Sequence, residues 1–297
     1  MAVKFIVDSA CDILPEEAKE FGIIHLPLKV LFGENEYADS VDLSHEEFYE
    51  KLVESDVLPK TSQVPPADFE DAYRKVTEEN NEAIVITVSG KLSGTYQSAM
   101  IAQEDFEGKV FVVDSENVAI GERILVYRGL EYAKMGLKAS EIADKLNEDK
   151  KKIRLMALLD TLEYLKKGGR ISSAVAFAGG LLSIKPVVAV ENGEVSLIGK
   201  ARGSKQGNNL LRELVAKSKG IDFEKPFSLA YSGLSDKLLK KYIEDSAELW
   251  KGHTENLPIY TIGCAIGTHV GPGAIAVAFF EKKKEDFTCL LIYIFMK

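Results

Sequence analysis

Ala83-Ile84-Val85-Ile86-Thr87-Val88 is a six-residue run of almost wholly apolar character, and it ends directly in Ser89-Gly90-Lys91-Leu92-Ser93-Gly94-Thr95-Tyr96. A short apolar run bounded by turn residues reads as a buried strand, and the segment after it reads as a helix. The unit recurs. Lys4 to Val7, Ile23 to Leu31, Lys109 to Val113 and Leu155 to Leu159 are further strand candidates. Pro15 to Glu20, with Asp12 placed to cap it, the stretch through Gly129 to Met135, and Ala139 to Asn147 carry helical period. This alternation predicts α/β architecture.

From about Thr161 the composition shifts toward glycine, serine and alanine, with Gly168-Gly169-Arg170-Ile171-Ser172-Ser173-Ala174-Val175-Ala176-Phe177-Ala178-Gly179-Gly180-Leu181-Leu182 reading as a helix with a small-residue face. Strands are expected at Pro186 to Val190 and Val195 to Ile198, joined by a tight turn at Asn192-Gly193. Phe227 to Ser232, Pro258 to Ile262 and Ala274 to Phe280 give three more. At 297 residues the chain exceeds one ordinary domain, so two are expected, 1–160 and 161–297.

Composition removes several function classes. With 37 basic against 46 acidic residues the net charge is −9, and no basic segment is long enough to track a phosphate backbone, so nucleic acid is not an expected partner. The start, Met1 to Asp8, is too short for a signal peptide, and nothing reaches the roughly 18 apolar residues of a membrane span, so a cytoplasmic protein without stable membrane insertion is expected. Cys11, Cys264 and Cys289 form no CxxC pair, and His25, His45, His253 and His269 form no metal-ligand pattern, so neither a metal nor another cofactor is indicated. The apolar tail Thr288 to Met296, after the charged stretch from Glu281, is read as a final strand or an atypical end and is given no function.

Four polar turns concentrate the chemistry: Asp8-Ser9-Ala10-Cys11-Asp12, Lys60-Thr61-Ser62-Gln63-Val64-Pro65-Pro66, Ser89 to Thr95, and Gly267-Thr268-His269-Val270-Gly271-Pro272-Gly273. Such residues also cap helices, so each turn alone has a structural reading; their recurrence at strand ends is what suggests a ligand. The order Gly90-Lys91-Leu92-Ser93-Gly94-Thr95 fits neither a phosphate P-loop nor a dinucleotide turn. Ser93 stands three residues after Gly90 and next to Gly94, so it is not in nucleophile-elbow register. A carboxylate needs only a helix N-terminus, hydroxyl donors and a nearby cation, and Ser93, Gly94 and Thr95 can supply the first two.

These turns, with Leu162-Glu163-Tyr164-Leu165-Lys166-Lys167-Gly168-Gly169-Arg170-Ile171 and Ile184-Lys185-Pro186, stand in the order found in the DegV family, which the chain resembles up to about Phe280. The resemblance implies a two-domain α/β fold: an N-terminal three-layer α/β/α parallel sheet, a C-terminal α/β domain with a mixed sheet, and the ligand between them. It implies a bacterial long-chain fatty-acid-binding protein without catalytic activity, which presents the carboxyl group to a separate fatty-acid kinase for acyl-phosphate formation and phospholipid synthesis. By position Thr61 with Ser62 and the Ser93-Gly94 turn match the carboxyl-binding elements, Arg170 and His269 match residues near the head group, and Arg202 matches a basic surface position linked to the kinase; Thr95 and Thr268, in the same polar turns, complete the expected ligand-binding set.

Burial of about sixteen methylenes at ~0.8 kcal/mol each gives on the order of 12 kcal/mol before entropic losses, so the tail supplies affinity and the head needs only a few donors. The helix from Ser172 to Leu182 is a candidate tunnel wall. The rival from the enzyme class is an acyl hydrolase or acyltransferase using Ser93 and His269, and a third reading is a carrier for a different amphiphilic acid such as a retinoid.

Overall fold

The computed structural model describes residues 2–171 and 183–282. The first domain is built on four parallel strands in the order β2-β1-β6-β7: β1 Val3–Asp8, β2 Ile23–Leu26, β6 Glu82–Thr87 and β7 Val110–Asp114. Successive side chains of a strand face opposite sides. Ile6, Ala83 and Val85 enter the core shared with α3 (Pro66–Glu78) and α4 (Thr95–Gln103), while Phe5, Val7, Ile84 and Ile86 enter the core shared with α5 (Ile120–Lys134) and α6 (Ala139–Asp149). Both faces are therefore covered, which is why these strands carry no polar alternation. In α3, Phe69, Ala72, Tyr73 and Val76 are buried at helical spacing, and Pro66 opens the helix where its missing N–H costs nothing.

The second sheet is mixed, in the order β10-β9-β8-β13-β11-β12: β8 Ile153–Leu158, β9 Ile184–Glu191, β10 Glu194–Arg202, β11 Ser228–Tyr231, β12 Ile259–Thr261 and β13 Ile275–Phe280. Neighbours are antiparallel except β11 and β12. β8 pairs with β9 and β13, so the run from Ile153 to Leu158 belongs to the second sheet. Spacing alone cannot tell which sheet a short apolar run will join.

Helix α5 is a layer common to both sheets. It is buried on nearly every side, packing on β1 and β6 and also on β8, β11 and β13. Arg123, fully buried in it, donates to the Asp12 carbonyl and to Glu17, with its guanidinium 3.5 Å from the Tyr260 ring centroid.

The apolar stretch from Ile23 to Leu31 is not one strand. Pro27 divides it, and the second half, β3 (Lys29–Phe32), joins a small antiparallel sheet with β4 (Asn35–Ala38) and β5 (Lys60–Ser62). Asp12 does not cap α1 (Pro15–Phe21), whose N-cap is Leu14; it adopts φ 57 and turns its carboxylate toward the second domain. The β9–β10 turn is as read: Asn192 at φ 51 and Gly193 at φ 82 give the left-handed pair that a two-residue hairpin requires.

Candidate functional site

A cavity of about 320 Å³ lies where the two domains meet, beyond the carboxyl ends of β1 and β6. Five segments far apart in sequence supply most of its lining. β5 and the residue after it contribute Thr61, Ser62 and Gln63, and the turn after β6 contributes Leu92, Ser93 and Gly94. Leu165 of α7 (Glu163–Lys167) and Arg170 close one side together with Val195 of β10. α10 (Cys264–Val270) contributes Ala265, Ile266, His269 and Val270.

The turn after β6 is held by its own bonds. The Leu92 and Ser93 N–H groups donate to the Ser89 carbonyl, and Asp114 accepts the Gly90 N–H. Gly94 is the N-cap of α4, so the first N–H groups of that helix lack intrahelical partners and face the place where an anion is favoured. A methyl group at Gly94 would overlap the side-chain oxygen of Gln63, whose amide nitrogen donates to Ser98 Oγ at 2.8 Å. A larger residue at this position would force the flexible Gln63 side chain to move. Ser93 Oγ lies 2.9 Å from Thr95 Oγ1 and accepts the Thr95 N–H at 3.3 Å.

Across the cavity His269 Nε2 is 2.9 Å from Thr61 Oγ1, and its Nδ1 is buried without a hydrogen-bond partner among the described residues. Burial, and after it the neighbouring Arg170 cation, push the imidazole down to about 4, so it is neutral at neutral pH. Arg170 is half-buried, donating from Nε to the Leu92 carbonyl at 3.1 Å and from Nη1 to the Gly168 carbonyl at 2.6 Å. Burial lowers its pKa, and it remains a cation as guanidinium groups do. Among the described residues it forms no ion pair, and the lining includes no carboxylate. The site thus combines one unneutralised cation, three hydroxyls and a helix N-terminus with walls of Leu28, Val88, Leu92, Leu165 and Val195. That combination suits an anionic head on an apolar body.

Of the residues singled out in the sequence, Thr61, Ser62, Ser93, Gly94, Arg170 and His269 meet at this cavity. Thr95 and Thr268 stand one step behind it: Thr95 is buried against Ser93, and Thr268 donates its hydroxyl to the Cys264 carbonyl of its own helix. Arg202 is exposed at the end of β10 and does not line the cavity. The helix from Ser172 to Leu182 and the tail from Thr288 lie outside the described residues. Gln63, Leu165 and Val195 were not singled out. Gln63 sits inside a motif that was, while Val195 reaches the site only because the β9–β10 hairpin folds across the domain junction, where Ser89 Oγ donates to the Gly193 carbonyl at 2.8 Å.

A family model described as "Uncharacterised protein, DegV family" matches residues 2–282. A DegV domain-containing protein of Deinococcus radiodurans is 34% identical over 280 residues, 94% of this chain and 98% of its own. Among solved structures, a fatty-acid-binding DegV family protein from Thermus thermophilus is 30% identical with a TM-score of 0.84, covering 95% of this chain and 100% of its own. A Thermotoga maritima protein whose structure reveals a fatty-acid binding function is 28% identical with a TM-score of 0.79 over the same shares.

Proposed function

The chain belongs to the DegV family, and from that premise we propose that it binds a long-chain fatty acid at its domain junction and presents the carboxylate to a fatty-acid kinase. The observation that carries this reading is the charge inventory of the cavity: Arg170 is unpaired among the described residues, faces hydroxyls and a helix N-terminus, and meets no carboxylate in the lining. An anion placed there gains hydrogen bonds to groups already partly desolvated, and the apolar walls receive its chain. Thr61, Ser62, Ser93 and the Gly94 turn take the carboxylate oxygens, with Arg170 and His269 beside them, while Thr95 and Thr268 support those groups from behind.

The role is that of a carrier and not of a hydrolase. Ser93 Oγ is engaged by Thr95 and His269 Nε2 by Thr61, which supports Ser93 as a donor to the ligand and not as a nucleophile held by a histidine base. No described helix is long and apolar enough to cross a membrane. A cytoplasmic location places the carrier beside a kinase that phosphorylates the bound carboxylate to an acyl phosphate for phospholipid synthesis. Arg202, exposed and outside the cavity, is assigned to that encounter.

Mass spectrometry of the organic extract of natively purified protein tests the ligand. A stoichiometric fatty acid supports the reading and gives the chain length. An empty extract from a protein that also fails to bind added fatty acids refutes it.

A further inference from the structure

Apart from Ala10, which lines the cavity, the turn Asp8-Ser9-Ala10-Cys11-Asp12 is given no role in the proposed function, yet it lies between the two rims of the cavity and touches both. Asp8 is fully buried; its Oδ2 accepts the Val88 N–H at 2.8 Å and its Oδ1 the Ala10 N–H at 2.9 Å. Val88 is the residue from which the Ser89-to-Gly94 turn departs. Asp12, 3% exposed, accepts the Gly263 N–H on Oδ1 at 2.9 Å, and Gly263 is the N-cap of the helix that carries His269. Ser9 adds a third tie: its hydroxyl donates to Asp39 Oδ2, and Asp39 Oδ1 accepts the Cys264 N–H at 3.1 Å. One five-residue turn therefore fixes the backbone of the first domain's head-group loop and that of the second domain's histidine helix.

As plain structure the arrangement is costly. A buried carboxylate loses its hydration, Asp12 Oδ2 has no hydrogen-bond partner among the described residues, and Asp12 holds φ 57, a conformation that few non-glycine residues adopt. Packing the same turn with apolar residues would avoid these costs but would leave the Val88 and Gly263 N–H groups without acceptors and the two rims unlinked. We infer that Asp8 and Asp12 are positioning residues, a brace that sets the separation between the Ser93-Gly94 turn and His269 to suit a carboxylate.

This inference rests on the proposed fatty-acid reading, and the test separates the two. Binding of palmitic acid and of 1-hexadecanol is measured on wild type, Asp12→Gly and Asp12→Asn. The tails are alike, so only the head-group geometry distinguishes the ligands. Glycine suits φ 57 and removes the acceptor, whereas asparagine tolerates that φ and keeps a carbonyl oxygen. Asp12→Gly is expected to lose roughly tenfold in acid affinity with the alcohol changed less than about twofold, while Asp12→Asn stays near wild type for both. Parallel loss of both ligands in Asp12→Gly, or an Asn variant as weak as the Gly variant, overturns the brace. If Asp12→Gly does not fold, Asp8→Asn replaces one of two acceptor oxygens by an NH₂; acid-selective loss supports the brace, and parallel loss or no loss overturns it. Wild type that binds both ligands equally, or neither, overturns the head-group reading itself and the brace with it.

Discussion

Thr61 Oγ1 and His269 Nε2 are joined by a 2.9 Å hydrogen bond between residues 208 apart in the chain, one on the edge strand of the small sheet, the other in the last turn of α10. It is a direct tie across the domain junction at the mouth of the proposed head-group site. Because the Nδ1 atom of the same ring has no partner among the described residues, the Thr61 hydroxyl is the ring's hydrogen-bond partner there. Thr61→Val keeps the shape and removes the hydroxyl. The expected result is a loss of about 0.5–1.5 kcal/mol of stability, the worth of one part-buried hydrogen bond, together with weaker fatty-acid binding. Thermal melting with and without fatty acid reads both, and an unchanged melting temperature would show that the bond contributes nothing.

The same histidine gives a pH dependence. Its folded pKa of about 4 lies below the ordinary 6.5, so between those values the unfolded chain binds the extra proton and the folded chain does not. Stability from this group is therefore full above pH 6.5 and falls as pH drops toward 4, with a slope on the order of 1 kcal/mol per pH unit. Other acids titrate in the same range, the buried Asp8 carboxyl pushed up to about 7 among them, so the measurement is the difference between wild type and His269→Gln in denaturant titrations at pH 4.5, 5.5 and 7. A difference that does not change with pH would mean that the imidazole is not buried as described.

Much of this site was legible in the sequence because its polar parts sit in turns, where glycine and hydroxyl residues stand out against apolar strands. Ser93, Gly94 and His269 are visible for that reason. The rest is tertiary. The split of Ile23 to Leu31 into strands of two sheets, the membership of β8 in the second sheet, and the arrival of Val195 at the cavity follow from which surfaces meet after folding, and no local pattern carries that information. Gln63 illustrates the boundary: its motif is conspicuous, but its task, crossing over Gly94 to reach Ser98, depends on two segments 35 residues apart coming together.

Ser93 separates the carrier from the enzyme. On the proposed reading it donates to the carboxylate; its Oγ lies 2.9 Å from Thr95 Oγ1, and among the described residues it has no histidine in hydrogen-bond reach. Ser93→Ala is expected to weaken fatty-acid binding by roughly ten- to a hundredfold, the worth of one hydrogen bond to a charged acceptor at about 1.5–3 kcal/mol. Incubation with p-nitrophenyl esters is expected to give no turnover that depends on Ser93. Turnover that is present in wild type and lost in Ser93→Ala would replace the carrier reading with the hydrolase.

Arg202 tests the other half of the proposal, delivery to the kinase. It lies at the end of β10, exposed, with its backbone N–H bonded to Gln206 and its side chain free of hydrogen bonds among the described residues. A surface charge of that kind adds little to the fold but can speed and orient an encounter with a partner of opposite charge. Arg202→Ala is therefore expected to leave fatty-acid affinity within about twofold of wild type while slowing acyl-phosphate formation by roughly tenfold at limiting kinase, with the deficit shrinking as the carrier is raised toward saturation. The two readouts act on different steps, so their comparison is decisive. Equal loss of binding and phosphorylation would return Arg202 to the pocket or the fold, and no loss in either would leave the kinase to recognise some other surface of the carrier.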